Sequence, residues 1–359
     1  MFNNKQTENH LANYWHTLND KTIQCDLCPR VCKLKEGQRG FCFVRQNMDQ
    51  KLILTTYGRS SGFCIDPIEK KPLNHFYPGT SVLSFGTAGC NMGCIFCQNW
   101  DISKSREMDK LQTIASPKQI ATKAKSLNCA SVAYTYNDPV IFAEYAIDTA
   151  KECHKLGIKN VAVTAGYINE KPRAAFFEFM DATNVDLKGF NEAFYEKYCM
   201  AKLQPVLDTL IYLKNETKVW LEITNLVIPG VNDNETELKK MCDWIFKNLG
   251  PNVPLHFTAF HPAYKLIDLV TTPENILRKA RHLALEAGLN YVYTGNIVDP
   301  EGTTTYCPNC YDPLIERHYY EIRKYNLQDH KCANCGYGIP GCFGLHQGDW
   351  GNQRLPISI

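Results

Sequence analysis

Cys90-Asn-Met-Gly-Cys94-Ile-Phe-Cys97 comes straight off the apolar run Ser81-Val-Leu-Ser-Phe85. Thiolates at C-x3-C-x2-C spacing can wrap one small cluster, and Gly89 and Gly93 supply the loose backbone that a tight wrap needs. Three thiolates are one short of a four-iron cluster's full set, so one iron is left open to a ligand that is not protein. A catalytic zinc keeps an open position by the same logic. An incomplete ligand set at a strand end points to a reaction centre rather than a staple.

Working outward, the chain from about Leu52 to Asn296 alternates strand-like and helix-like segments, the pattern of repeated β-α units. Strands are expected at Ser81–Phe85, Ser131–Tyr136, Asn160–Thr164, Asn184–Leu187, Val219–Ile228, Leu255–Phe260 and Tyr291–Thr294. Helices are expected at Val140–Leu156, Glu235–Asn248 and Pro273–Ala287. Pro273 suits a first-turn position behind the caps Thr271 and Thr272, while Gly157 and Gly288 close their helices. The class is α/β, as a partial (β/α) barrel or a doubly wound sheet. Periodicity does not separate the two, but both put the working face at the C-terminal ends of the strands.

Two cysteine-rich zones flank this middle. Cys307-x2-Cys310 and Cys332-x2-Cys335, with twenty-one residues between the pairs, read as a zinc ribbon with a closed tetrahedral site. A rubredoxin-like iron site is the rival, and Cys342 is a spare thiol. Cys25, Cys28, Cys32 and Cys42 form a second four-cysteine set, for which zinc and an auxiliary iron–sulfur cluster both stand, with Cys64 as a further ligand in the second case. The bland reading of Cys64, Cys129, Cys153, Cys199 and Cys242 is small buried hydrophobes. The divisions are then 1–50, an N-terminal four-cysteine segment; 51–298, the barrel; and 299–359, the ribbon-like segment.

At 359 residues the chain is long enough for one large α/β domain with appendages. A net charge of +2 from 39 basic and 37 acidic residues exerts no global pull on nucleic acid or membrane. The polar start and the absence of a long apolar run argue against a leader and a membrane span. Seventeen cysteines without an export signal favour metal ligation in the cytoplasm over disulfides.

The C-x3-C-x2-C loop with an aromatic before its last cysteine resembles the radical S-adenosylmethionine (SAM) superfamily. Asp66-Pro-Ile-Glu-Lys-Lys-Pro-Leu73, His75-Phe76, Gly89-Cys-Asn91 and Cys97-Gln-Asn-Trp100 further resemble the radical SAM enzyme of the AmmeMemoRadiSam system, which is itself similar to pyruvate formate-lyase activating enzymes. The resemblance runs from about Cys25 to Gly341 and favours a partial (β/α)6 barrel of the TIM type. It implies a [4Fe-4S] cluster on Cys90, Cys94 and Cys97 that binds SAM and yields a 5′-deoxyadenosyl radical able to abstract hydrogen from a substrate.

Further residues follow from the resemblance. Asn137 and Asp138, in Tyr134-Thr-Tyr-Asn-Asp-Pro139, match the loop that receives the SAM ammonium, with Asp where Glu is usual; the plain alternative is a helix cap at Asp138. Asp186 and Lys188, the catalytic candidate, are implied to lie near the SAM carboxylate, and Thr164 and Asp186 to hold a monovalent cation. Glu222 and Thr224 share one strand face and look like ribose or substrate contacts. Either His256 or His261 lies near the adenosyl group. Implied partners are a flavodoxin or ferredoxin as one-electron donor, and Memo-like and AMMECR-like companion proteins or a glycyl radical enzyme. The rival from another class is a non-catalytic zinc or iron–sulfur scaffold that binds proteins or nucleic acid.

Overall fold

The computed structural model describes residues 10–105, 111 and 113–359. Its centre is one nine-stranded sheet. In chain order the strands are β1 (Phe63–Pro67), β2 (Ser81–Phe85), β3 (Ser131–Tyr134), β4 (Lys159–Thr164), β5 (Ala182–Asp186), β6 (Trp220–Val227), β7 (Leu255–Ala259), β8 (Val292–Gly295) and β9 (Leu355–Ile357). The spatial order is β8-β7-β6-β5-β4-β3-β2-β1-β9, so consecutive strands are neighbours from β1 to β8. Strands β2 to β8 run parallel. Antiparallel β1 and β9 finish one edge. The two ends do not pair, which makes this an open barrel rather than a closed one.

Between the parallel strands lie six crossover helices, α1 (Pro117–Ser126), α2 (Ala143–Lys155), α3 (Glu170–Phe177), α4 (Gln204–Glu216), α5 (Glu235–Leu249) and α6 (Glu274–Glu286). Their starts and stops follow local chemistry. Ser116 and Gln119 form a reciprocal capping box ahead of Pro117. Gly157 and Gly288 sit at φ +72° and +94°, ending α2 and α6 as expected. Pro273 stays extended at ψ 143°, and α6 begins one residue later. Thr272 is spent elsewhere: its hydroxyl donates to the Val227 carbonyl and accepts from the Phe260 amide, so it ties strand ends together instead of capping. Strand β3 stops at Tyr134 because Tyr136 turns to φ +69°.

Burial explains why the strands read as continuous apolar runs. Strand β2 is buried at every position, as are β3 and β7. One core joins the barrel's inner and outer layers to Ile23, Leu27, Val44 and Leu52 of the N-terminal segment. A smaller cluster of Tyr291, Tyr293, Leu314, Ile315, Ile339 and Phe343 seats the C-terminal segment. That segment carries a three-stranded antiparallel sheet (Thr305–Tyr306, Pro313–His318, Glu321–Tyr325) before the chain returns as β9. Among the described residues no helix is long and apolar enough to cross a membrane.

Candidate active site and metal centres

A cavity of about 780 Å³ opens at the C-terminal ends of the parallel strands. Cys90, Cys94 and Cys97 line it together with Asn137, Asp138, Thr164, Asp186, Lys188, Thr224 and His256. The strand ends therefore bring most of the expected site residues onto one wall. Glu222 and His261 are not among the lining residues.

The cysteine loop is held from several sides. The Asn137 amide nitrogen donates to the carbonyls of Gly89 (2.9 Å) and Ala88 (3.4 Å), and its oxygen accepts from the Thr87 amide (3.1 Å). Asn137 thus clamps the turn that delivers Cys90, and its carboxamide is occupied by protein. A Cβ at Gly89 would lie 2.0 Å from the Cys42 carbonyl oxygen, and one at Gly93 2.5 Å from the Met200 sulfur, so both positions demand glycine. The Met92 amide donates to Cys90 Sγ at 3.5 Å, and the Ser103 hydroxyl meets Cys97 Sγ at 3.0 Å. Lys104 reaches the Met92 carbonyl at 2.8 Å. A hydrogen bond from Cys199, behind Cys94, lowers the Cys94 thiol to about 6, and the Lys188 and Lys104 ammonium groups act in the same direction against the effect of burial. Burial instead pushes Cys90 up to about 12. Cys199, Ser103 and Lys104 support the loop, and the spacing motif alone did not point to them.

Asp138 performs the capping role that the Asn-Asp-Pro sequence suggested. Its Oδ1 accepts from the Val140 amide (3.0 Å) and the Thr164 hydroxyl (2.9 Å), and its Oδ2 from the Ala165 amide (3.1 Å). Three of roughly four lone-pair positions on a carboxylate are then filled, leaving one on Oδ2. Burial raises this carboxyl above its ordinary range in spite of those donors. Thr164 consequently points to Asp138 rather than to Asp186. Asp186 pairs with Lys188, Nζ to Oδ2 at 2.7 Å. Burial alone would lower Lys188, but the Asp186 carboxylate and Cys94 hold it well above the ordinary lysine range.

Glu222 and Thr224 do share a face of β6, yet they differ in purpose. The Glu222 carboxylate, fully buried, accepts from the amides of Asn74 (3.0 Å) and His75 (2.8 Å), from Trp220 Nε1 (2.9 Å) and from His256 Nε2 (2.6 Å). Four donors saturate it, so it anchors the Leu73-Asn-His75 turn instead of meeting a ligand. Thr224 is the opposite case: its buried hydroxyl lines the cavity without a hydrogen-bond partner. His256 also lines the cavity, stacked on Tyr293 at 5.1 Å, whereas His261 is exposed beside Thr271.

Glu69, Lys70, Lys71 and Pro72 of the Asp66–Leu73 motif line the same cavity, and Asp66 lies buried behind them. Asp66 is bound by Lys70 (3.0 Å) and Lys71 (2.6 Å); burial opposes its charge, but the two ammonium groups hold it well below the usual carboxylate range. Glu69 accepts from the Gly79 amide and lies 3.7 Å from Arg317, which also donates to the Asn74 carbonyl at 2.8 Å.

Among the described residues, Cys307, Cys310, Cys332 and Cys335 are the one group of metal-binding side chains whose ligand atoms all lie within 4.8 Å of one another. Two of their sulfur separations are 3.5 Å and 3.7 Å. Tetrahedral zinc with thiolates at about 2.3 Å sets S···S near ~3.8 Å, so this set fits a single ion. Cys90, Cys94 and Cys97 are more widely spread, and a lone ion is too small to join them. Three unpaired thiols around one cavity, with an unpartnered Thr224 hydroxyl facing it, fit a cluster with an open iron and a polar cofactor beside it.

A model of the radical SAM superfamily matches residues 85–242. The uncharacterized protein MJ0808 of Methanocaldococcus jannaschii is 43% identical over 330 residues, covering 91% of this chain and 98% of that one. Among solved structures, a domain of pyruvate-formate lyase-activating enzyme from Bacteroides vulgatus aligns with TM-score 0.42 and 18% identity, over 46% of this chain and 99% of that one. A radical SAM methyltransferase from Sphaerobacter thermophilus aligns with TM-score 0.48 and 13% identity, over 62% and 68%.

Proposed function

From the premise that this chain belongs to the radical SAM superfamily and is a radical SAM enzyme, we propose that the cavity at the strand ends is its reaction chamber and encloses a small polar substrate. A [4Fe-4S] cluster and SAM, when bound, supply one-electron cleavage of the sulfonium and a 5′-deoxyadenosyl radical that takes a hydrogen atom from that substrate.

The chain's own residues divide the remaining work. Cys90, Cys94 and Cys97 hold three irons, and Asn137 fixes the turn that aims them. Lys188, kept cationic by Asp186, offers a charge to the SAM carboxylate. The last lone pair of Asp138 faces the ammonium, with Thr164 and Ala165 holding the carboxylate in place. Thr224 gives its free hydroxyl to the ribose, and His256, fixed by Glu222, borders the adenosyl end. Lys70, Lys71 and Arg317, with the carboxyl of Glu69, form a polar wall against which a polar substrate is oriented, and the buried Asp66 fixes the two lysines from behind. The observation that carries the reading is the meeting of the cysteine triad and the unpartnered Thr224 hydroxyl in one cavity.

The motifs Asp66–Leu73 and Cys97–Trp100 support a place in the AmmeMemoRadiSam system, with Memo-like and AMMECR-like companions and a flavodoxin or ferredoxin as electron donor. The volume of the cavity, about 780 Å³, and the charged groups that line it support a small polar molecule as the substrate, with activation of a glycyl radical enzyme as the alternative. The test is anaerobic formation of 5′-deoxyadenosine under dithionite, with and without the companion proteins and extracts of small molecules. A rise on adding a small-molecule fraction is expected. A rise only with a glycyl radical enzyme overturns the substrate class. A cluster spectrum indifferent to SAM overturns the chamber itself.

A further inference from the structure

Four thiols of the N-terminal segment converge on a second, much smaller cavity. Cys25, Cys28, Cys32 and Cys42 line it together with Asn91 and Ile141. No disulfide forms among them, and the segment that carries them packs into the main core. The amides of Leu27, Arg30, Val44 and Arg45 are directed at the sulfurs of Cys25, Cys28 and Cys42. Such N–H···S bonds stabilise thiolates in a metal site. Arg45, 1% exposed, adds a buried cation held by Glu144 at 2.5 Å.

The separation of the sulfurs decides which metal group fits. The ribbon thiols approach as closely as a single tetrahedral ion requires, at 3.5 Å and 3.7 Å. In the same molecule no three of the N-terminal thiols lie within 4.8 Å of one another. They resemble Cys90, Cys94 and Cys97 in this respect, thiols that must reach separate irons. One zinc ion cannot contact four sulfurs so spread, but the corners of a cluster can. With four thiolates there is no open corner, so such a cluster has no place for SAM and can only hold and pass electrons.

Its position gives that capacity a purpose. The Cys42 carbonyl abuts Gly89, next to Cys90, at a distance that excludes a Cβ. Asn91, one residue beyond Cys90, is fully buried, lines the thiol cavity, and gives its carbonyl to Arg30 Nε at 2.8 Å. The two cysteine sets share a wall.

We propose that Cys25, Cys28, Cys32 and Cys42 hold a second, fully ligated [4Fe-4S] cluster that relays electrons to the cluster on Cys90, Cys94 and Cys97. One electron enters from a ferredoxin- or flavodoxin-class donor, and one leaves across Asn91 to the open cluster, which spends it on the sulfonium. The inference rests on the radical SAM reading for the destination of that electron, but not for the identity of the metal.

Metal analysis of the anaerobically purified whole chain decides the identity. About eight irons with matching sulfide, and about one zinc, are expected from two four-iron clusters and one ribbon. About four irons and two zincs overturn the proposal. EPR of the reduced protein separates the sites: one signal should change on adding SAM and the other should not. Cys94→Ser should keep only the indifferent signal, and its absence there overturns the second cluster without any change to the N-terminal segment. Cys28→Ser with Cys32→Ser should keep the SAM-responsive signal and lose the other. In that variant 5′-deoxyadenosine formation should fall at least tenfold with reduced ferredoxin or flavodoxin, and less than threefold with dithionite. An unchanged rate with the protein donor overturns the relay. A wild-type protein with eight irons and no SAM-responsive signal would instead sink the radical SAM reading while leaving the N-terminal cluster standing.

Discussion

The carboxylate of Glu222 meets Nε2 of His256 at 2.6 Å on adjacent strands β6 and β7, and the same carboxylate receives the backbone amides of Asn74 and His75. One buried group thereby joins a cavity-lining imidazole to the turn at Asn74, which lines the same cavity. Charge, hydrogen bonding and position are coupled there.

Removal of that carboxylate exposes the coupling. Glu222→Ala leaves two amides, an indole N–H and an imidazole without an acceptor in a dry interior. Breaking a buried charged network of this kind costs about 3–5 kcal/mol. Urea unfolding should show that loss, and Glu222→Gln, which keeps an acceptor, should recover part of it. A change below about 1 kcal/mol in the alanine variant would remove Glu222 from its anchoring role.

Thr224 is expected to behave in the opposite way. Its hydroxyl has no partner in the protein, so Thr224→Val removes a polar group without orphaning another. Stability should stay within about 0.5 kcal/mol of the wild type. SAM affinity should fall about fivefold, the worth of one neutral hydrogen bond near ~1 kcal/mol. Equilibrium binding to the reduced or oxidised cluster protein measures it, and unchanged affinity assigns the ribose to other residues.

The ribbon predicts a coupling between metal and barrel. His75 Nδ1 donates to the Pro340 carbonyl (2.7 Å), its Nε2 meets the Tyr293 hydroxyl (2.6 Å), and its own carbonyl accepts from the Cys342 amide (2.7 Å). Cys332→Ser, or a zinc chelator, should release zinc, expose residues 305–345 to limited proteolysis and lower the melting temperature of the whole chain. A melting profile that ignores both treatments counts against a structural ribbon.

The sequence shows its local chemistry well and its long-range debts poorly. Cysteine spacings marked out the Cys90–Cys97 loop, which the fold sets in the cavity at the strand ends, and the ribbon-like set, because each depends on a few adjacent residues. The Asn-Asp-Pro cap and the glycines after α2 and α6 were legible for the same reason. Asn137 reads as a cofactor contact in sequence, yet it is consumed by the turn at Thr87–Gly89, some fifty residues earlier. Glu222 reads as a ligand for the cofactor, but its donors at Asn74 and His75 lie nearly 150 positions away. Edge strand β9 escaped notice since its pairing with β1, Leu355 with Ile65 and Ile357 with Phe63, joins segments some 290 positions apart. Cys199 looks like a small hydrophobe until the fold sets it behind Cys94.

Glu69 carries the pH dependence that follows from this architecture. It is 4% exposed, its Oε2 has no hydrogen-bond partner, and burial pushes it up to about 7 although Arg317 and the Gly79 amide pull the other way. In the unfolded chain a glutamate titrates near ~4.3. Between those values the folded protein holds a proton that the unfolded chain has released. Stability therefore falls as pH rises from about 4 through about 7, by up to roughly 4 kcal/mol. Glu69→Gln removes the titration, so its unfolding free energy should change less over this range, and the variant should gain on the wild type at pH 8 relative to pH 5. Urea midpoints of both proteins at the two pH values provide the comparison. Parallel shifts in the two would place the titrating group elsewhere and leave Glu69 ionised beside Arg317.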